Sequence, residues 1–421
     1  MKSTLFTSNR VAGATTWLAA ASMACALFAG DASGDDDGRR VLVDRELEMR
    51  TIRLLSLTSD AIVYEDEQGR RRQATVGGFV ALLPTAPAYG SRPRSADAFD
   101  HDASPGSIEL IDGQRFPGEH APTGGDEEMV VWTHPVFGRV SVALDRVAEV
   151  VLDAGVHRQL RAERAGRPRS ELVNDELLLI NGDTLSGFVI SLGDPIEIEI
   201  DGAVVSLAPE RVASVRLAGT DEPMSGLVVW LEDGSVAVVT SMERGAEGAI
   251  SLRLATGQSA GVPIESVRAM AFDAGRIRAL ASYAPVEEKP IGRRVLLSGV
   301  RSLVNPLDAP VELNAPDIEF PGPMEARWLL PGGVRRFAAI AELPLDAQPW
   351  GDCELVIKID GEEKLRERLW SGSPRLEFSL PFEVSDRARE MIVIVDPGRY
   401  GPVNDRVILR RPLLLVDPAE R

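Results

Sequence analysis

Three dipeptides, Asp112-Gly113, Asn181-Gly182 and Asp233-Gly234, each stand between two short apolar runs. Such pairs reach positive φ at low cost and favour two-residue hairpins between antiparallel strands. The runs themselves alternate. In IEIEIDGAVVSL, residues 196–207, a period of two puts Ile196, Ile198 and Ile200 on one face and Glu197 and Glu199 on the other. Helix-period stretches are few: residues 209–215 and 263–270 each allow one short turn. The chain is therefore expected to be all-β.

The hairpin segments repeat. SIELIDGQRFPG (107–118), ELLLINGDTLSG (176–187) and LVVWLEDGSVAV (227–238) open alike, and SVALDRVAEVVLDAG (141–155), SLAPERVASVRLAG (206–219) and GVPIESVRAMAFDAG (261–275) close alike. Corresponding positions recur after roughly 50 to 70 residues, a repeat scale. Residues 46–84 read as a fainter copy without the Asp-Gly turn. Each copy has four or five strand-like runs with one apolar face to cover, which a small closed barrel achieves while removing sheet edges. A propeller blade has a similar period, but too few copies are present to close a ring. The pattern of an apolar run, (Asn/Asp)-Gly-Asp, x-Leu-x-Gly, two strands and Pro-Glu-Arg-Val-Ala-Ser-Val resembles the small SH3-like β-barrel repeats of bacterial envelope proteins.

After Gly275 the pattern changes. About eight strand-like runs follow, enough for a two-sheet jelly-roll sandwich. In order they carry Tyr283 and Pro285, Asn305-Pro306-Leu307, Val311-Glu312-Leu313, ARWLLPGG (326–333) with Arg336-Phe337-Ala338, CELVIKIDG (353–361), MIVIV (391–395) and Asn404-Asp405. This order resembles the NPCBM group of carbohydrate-binding modules, whose fold is a galactose-binding-like β-sandwich. The likeness spans about a third of the chain. Two positions depart from it: residues 319–324 replace the family's Lys-Gly-(Ile/Leu)-x-x-His segment, and residues 405–409 replace its Asp-His-x-x-Trp ending.

Sugar recognition needs a flat apolar surface for C–H faces and directional groups for hydroxyls. Trp350, Trp370, Arg399, Tyr400, Asn404 and Asp405 lie in turn-like positions of this module and form the candidate ligand-contacting set. The structural alternative places Trp328 and Trp370 in the core and has Asn404 and Asp405 shape a tight turn.

The expected organisation is a signal peptide over residues 1–30, a linker over 31–40, a degenerate unit with its linker over 41–105, units over 106–156, 175–220 and 226–276, a linker over 157–174, and the sandwich over 280–421. The leader has Lys2 and Arg10 ahead of an apolar, Ala-rich stretch and small residues at candidate cleavage points, the order of a secretory signal. An uncleaved anchor or lipidation at Cys25 are the alternatives, and membrane contact is expected only there. A secreted or periplasmic location follows. Once Cys25 leaves, Cys353 is the single thiol, read as a small buried apolar residue. The basic residues Arg158, Arg161, Arg164, Arg167 and Arg169 form either a patch for an anionic partner or a solvated helix and loop.

The net charge of −18 argues against a nucleic-acid partner. No Cys-x-x-Cys, His-Glu-x-x-His, Gly-x-Ser-x-Gly or phosphate-loop spacing occurs, so no cofactor, metal or catalytic residue is expected, although the acidic loops at Asp352 and from Asp396 to Asp405 leave calcium open. With 64 carboxylates, no glycosidase pair can be singled out. His134 and His157 read as surface residues. The chain is expected to be an exported, non-catalytic binding protein for a glycan or an envelope component. The alternatives are a structural protein of the envelope and a glycan-active hydrolase.

Overall fold

The computed structural model describes residues 39–85, 106–121, 128–161, 169–244, 249–292, 299–303, 310–383, 385, 387–399, 401 and 404–417. The expected signal peptide, most of the linker after it and residues 86–105 lie outside them. Among the described residues there is one α-helix, Ala154–Arg161; the rest of the regular structure is β-strand with short 3-10 turns. The protein is all-β.

Four units share one strand plan. In the first, Arg39–Asp44 pairs with Met49–Leu57 and with the last strand of the unit, Phe79–Pro84, while Ala61–Glu65 and Arg71–Thr75 continue the sheet. The third unit has Asp175–Leu179, Thr184–Leu192, Ile196–Ile200, Ala203–Leu207 and Val212–Arg216 in the same order of pairing. The fourth has Leu227–Leu231, Val236–Arg244, Ala249–Leu254, Ser259–Pro263 and Val267–Ala271. A 3-10 turn precedes the last strand in each, at Val76–Gly78, Pro209–Arg211 and Ile264–Ser266.

The second strand decides the shape. In these three units it is 9 residues long. Its first half pairs with strand one and its second half with strand three, with a register shift at the hand-over: Leu54/Ser56, Val189/Ser191 and Val239/Ser241. A bulge bends and twists a strand, which lets one strand serve two sheet directions and wrap the core. The second unit reaches the same result by breaking the strand at Gly118, into Arg115–Pro117 and Glu119–His120. Gly118 has φ 148, and a Cβ there would collide with the Thr133 carbonyl.

The alternation read from the sequence holds at the third strand of unit three. Ile196 and Ile198 are fully buried and Ile200 packs partly against the same core, while Glu199 is exposed. Burying each Ile contributes about 1.5–3 kcal/mol.

Units join edge to edge through their last strands. Phe79–Pro84 pairs with Val267–Ala271, and Val147–Val151 pairs with Val212–Arg216, so unit one joins unit four and unit two joins unit three. Units two and four meet where Arg115 pairs with Val236 and the Gln114 Oε1 accepts the Val238 N–H at 2.9 Å.

The C-terminal module is a sandwich. One sheet runs Arg301–Ser302, Ile318–Phe320, Val407–Val416, Val334–Glu342, Arg375–Pro381; the other runs Glu287–Pro290, Met324–Leu330, Arg389–Pro397, Asp352–Ile359, Glu362–Trp370. Trp328, Phe320 and Phe337 fill the space between them. The sandwich is also fused to the units. Val43 and Leu83 of unit one, Trp230 of unit four, Ile277 and Ala279 of the connecting strand, and Ala338, Leu413 and Leu415 of the sandwich share one apolar cluster. Arg411 donates to the Pro84 carbonyl at 3.0 Å, and ion pairs Arg268–Glu312 and Arg336–Glu46 cross the same boundary.

Two histidines depart from the surface position expected for them. His134 and His157 are buried, at 1% and 7% exposure. His134 packs edge-on to Phe116 and beside Phe137, and its polar atoms are satisfied from within the fold. Arg169 is buried too, donating to the Leu217 carbonyl at 2.8 Å and to Asp221, so it braces unit three rather than joining an open basic patch.

Candidate functional site

In the sandwich sheet that carries Asp352–Ile359 and Glu362–Trp370, alternate residues turn to opposite faces. Cys353, Leu355, Ile357 and Ile359 point into the core. Asp352 and Arg368 therefore belong to the outer face, where Asp352 stands opposite Trp370 across the ladder. An outer-face carboxylate is normally solvated, yet Asp352 is only 2% exposed. Three segments cover it. The Arg368 Nε donates to Oδ1 at 2.5 Å, the Arg399 backbone N–H donates to Oδ2 at 3.1 Å, and the Gly398 N–H donates to the Asp352 carbonyl at 2.7 Å. The Asp352 N–H in turn donates to the Asp405 Oδ1 at 3.2 Å. A Cβ on Gly398 would collide with the Asp352 carbonyl, so the close approach of this turn needs glycine. The Arg368 guanidinium beside Asp352 holds its carboxyl below the usual carboxylate range, with the Arg399 N–H adding to the effect against the cost of burial.

Around this anchor sit the residues expected to contact a ligand. Trp350 closes the turn after Pro344, its N–H donating to the Ala347 carbonyl at 3.1 Å, and its indole is 70% exposed. Trp370 is 42% exposed, with the Arg368 guanidinium 5.4 Å from its ring centroid and Gly372 packed against the ring. Arg399 is exposed. Asn404 has φ 55 and its carbonyl lies against Gly351. Asp405 is buried, and its carboxylate accepts the Asp352 backbone N–H. Tyr400 lies outside the described residues. Trp350, Trp370, Arg399, Asn404 and Asp405 are thus brought to one end of the sandwich, and Trp328 alone of the two tryptophans assigned to the core by the structural alternative is buried there.

Sequence reasoning passed over Asp352 and Arg368 as members of this cluster. Counting outward from the Asp360-Gly361 turn would set residue 352 opposite residue 369; a register shift between Ile357 and Lys358 sets it opposite Trp370 instead, and nothing local in the sequence announces that shift. Both oxygens of Asp352 are already engaged by donors, which disfavours it as a calcium ligand. Among the described residues no three His, Cys, Asp or Glu side chains converge as a metal site. The burial of Cys353 pushes its thiol up to about 12, helped by Asp405 and Asp352 nearby, so it is no nucleophile at neutral pH.

No protein-family model matches the chain, and neither does any curated protein. Solved structures do. A CBM51 module from Clostridium perfringens in complex with methyl-galactose is 9% identical, covering 33% of this chain and 99% of its own, with a TM-score of 0.27. The CBM51-2 and INT domains of a C. perfringens protein are 14% identical, covering 42% of this chain and 40% of that one, with a TM-score of 0.27. The tandem CBM51 modules of a family 98 glycoside hydrolase from Streptococcus pneumoniae are 9% identical over 90% of this chain and 88% of that one, with a TM-score of 0.28. At these TM-scores the neighbours supply no residue correspondence.

Proposed function

We propose that the protein is an exported, non-catalytic binding protein whose C-terminal sandwich, a module of the NPCBM type, recognises a glycan at the Trp350 end. The observation that carries this reading is the Trp350 indole, 70% exposed on a turn held against a buried, hydrogen-bonded carboxylate anchor. A solvent-facing indole offers a flat apolar surface on which a pyranose C–H face can stack. Arg399 and Asn404 beside it supply donors and an acceptor for hydroxyls. On this reading the four units are SH3-like barrels that hold the sandwich at a fixed attitude.

The test is a glycan array probed with the full chain and with Trp350→Ala. Binding to a defined glycan class that the variant loses at least tenfold supports the proposal. A folded wild-type chain that binds no glycan, or a variant that binds equally well, overturns it. A second reading, a structural protein of the envelope, is favoured by the apolar cluster and ion pairs that lock the sandwich onto units one and four. A blank array together with recovery of an envelope protein by crosslinking would select it.

A further inference from the structure

The sheet of each unit ends on its fourth strand, and three of these edges are obstructed. Arg71 and Arg72 stand exposed on Arg71–Thr75 of unit one. In unit two, whose fourth strand is Gly138–Ala143, the Arg139 carbonyl is taken by the Gln258 amide at 3.1 Å. The edge of unit four, Ser259–Pro263, ends on a proline without an N–H. Charges, coverage and proline are the usual guards of a sheet edge. Ala203–Leu207 of unit three carries none of them. Its sequence is AVVSL, it pairs with Ile196–Ile200 on one side, and no strand pairs with its other side among the described residues.

The face beside this edge is unusual for a surface. Phe188 is 68% exposed and Val204 is 57% exposed. Both stand opposite Glu199 in the ladder, so one row across three strands reads Phe188, Glu199, Val204. From Thr184 to Glu210 the chain has five carboxylates, Asp194, Glu197, Glu199, Asp201 and Glu210, and no Lys or Arg.

We infer that the Ala203–Leu207 edge accepts an added strand from an extended, basic polypeptide segment with Lys or Arg at alternate positions. Main-chain hydrogen bonds to the free edge supply the attachment. The methylene stems of the basic side chains cover Val204, and their heads reach the Glu197 and Glu199 carboxylates beyond it. A second copy of this chain is disfavoured, because its own Glu197 and Glu199 would face the same carboxylates. This inference does not rest on the glycan reading, since unit three is not part of the sandwich.

Fluorescence anisotropy of the full chain with a labelled peptide Lys-Val-Lys-Thr-Lys-Val-Lys tests it. Two further peptides carry backbone N-methyl groups on one or the other alternate set of residues. The expected result is binding of the parent, loss with one N-methylated set, tolerance of the other, and at least tenfold weakening by Val204→Lys and by Glu199→Lys. Both substitutions fall on exposed positions, so folding is retained and checked by circular dichroism. Equal binding of both N-methylated peptides, full affinity in either variant, or equal binding of the Glu-Val-Glu-Thr-Glu-Val-Glu analogue overturns the inference. Concentration-dependent dimerisation abolished by Val204→Lys would place a second copy on the edge and overturn it as well.

Discussion

His134 of unit two and Ser235 of unit four are joined by a hydrogen bond of 2.8 Å between the imidazole Nε2 and the serine Oγ, both side chains buried. The ring's Nδ1 accepts the N–H groups of Val136 and Phe137, each at 3.0 Å. With Nδ1 an acceptor twice over, the proton sits on Nε2, which donates to Ser235. The Asp233 carboxylate lies 3.6 Å from the same nitrogen. One imidazole thus closes its own turn and fastens two units that are about a hundred residues apart in sequence.

Burial lowers the His134 pKa, and Asp233 opposes this only in part. Protonation would put a second N–H where two backbone donors already point. The unfolded chain takes up that proton near pH 6.5 and the folded one resists it, so stability falls as pH drops below about 6.5. His134→Asn keeps an acceptor for the two N–H groups and loses the link to Ser235. Thermal melts from pH 7.5 to 5 should show a shallower decline in the variant; an unchanged slope removes this role.

Asp352 titrates the other way. Its folded pKa lies below the ordinary carboxylate value, so its contribution is complete above about pH 4 and is lost as pH falls through the folded value. Asp352→Ala removes the carboxylate that accepts from the Arg368 Nε and the Arg399 N–H, while keeping the backbone bond to Asp405, and should cost about 1–3 kcal/mol in urea unfolding. Retention of wild-type stability would mean that the Gly398 turn is held by other contacts.

Two adjacent residues of unit three separate the faces of the sheet. Ile198→Ala should destabilise by about 2–5 kcal/mol, whereas Glu199→Ala should stay within about 0.5 kcal/mol. Chemical denaturation of both variants checks this, and similar costs for the two would contradict the inward register of Ile198.

Cys353 is buried with its thiol pushed up to about 12. Ellman's reagent should leave it untouched in the native protein and react once denaturant opens the core. Rapid reaction under native conditions would show that this end of the sandwich breathes.

Residues 280–421, expressed alone, should aggregate or melt well below the full chain. Cutting there uncovers Ala338, Leu413 and Leu415 and removes the strand Ile277–Ala279 that pairs with Val407–Val416. Differential scanning calorimetry of fragment and full chain compares them; equal melting temperatures would show that the boundary is only adhesive.

The all-β class was legible from local chemistry. Asp-Gly and Asn-Gly turns and the IEIEI alternation act within a few residues, so Ile196 and Ile198 could be assigned to the core before any fold was known. The five described residues of the candidate set were legible only as turn positions in one module. Asp352 and Arg368 went unassigned because the burial of an outer-face carboxylate depends on a turn some 45 residues further on. The same holds for His134 and His157, whose polar composition reads as surface while units packed from distant segments bury them.

The sequence by itself determined which residues turn inward along each strand, because a period of two and a glycine-dependent corner are local constraints. Only the tertiary structure decided which last strands pair, which leaves the Ala203–Leu207 edge without a second strand among the described residues, and how Arg368, Arg399 and Asp405 come to stand around Asp352. Those outcomes depend on contacts between segments far apart in the chain, where many pairings satisfy the local pattern and packing selects one.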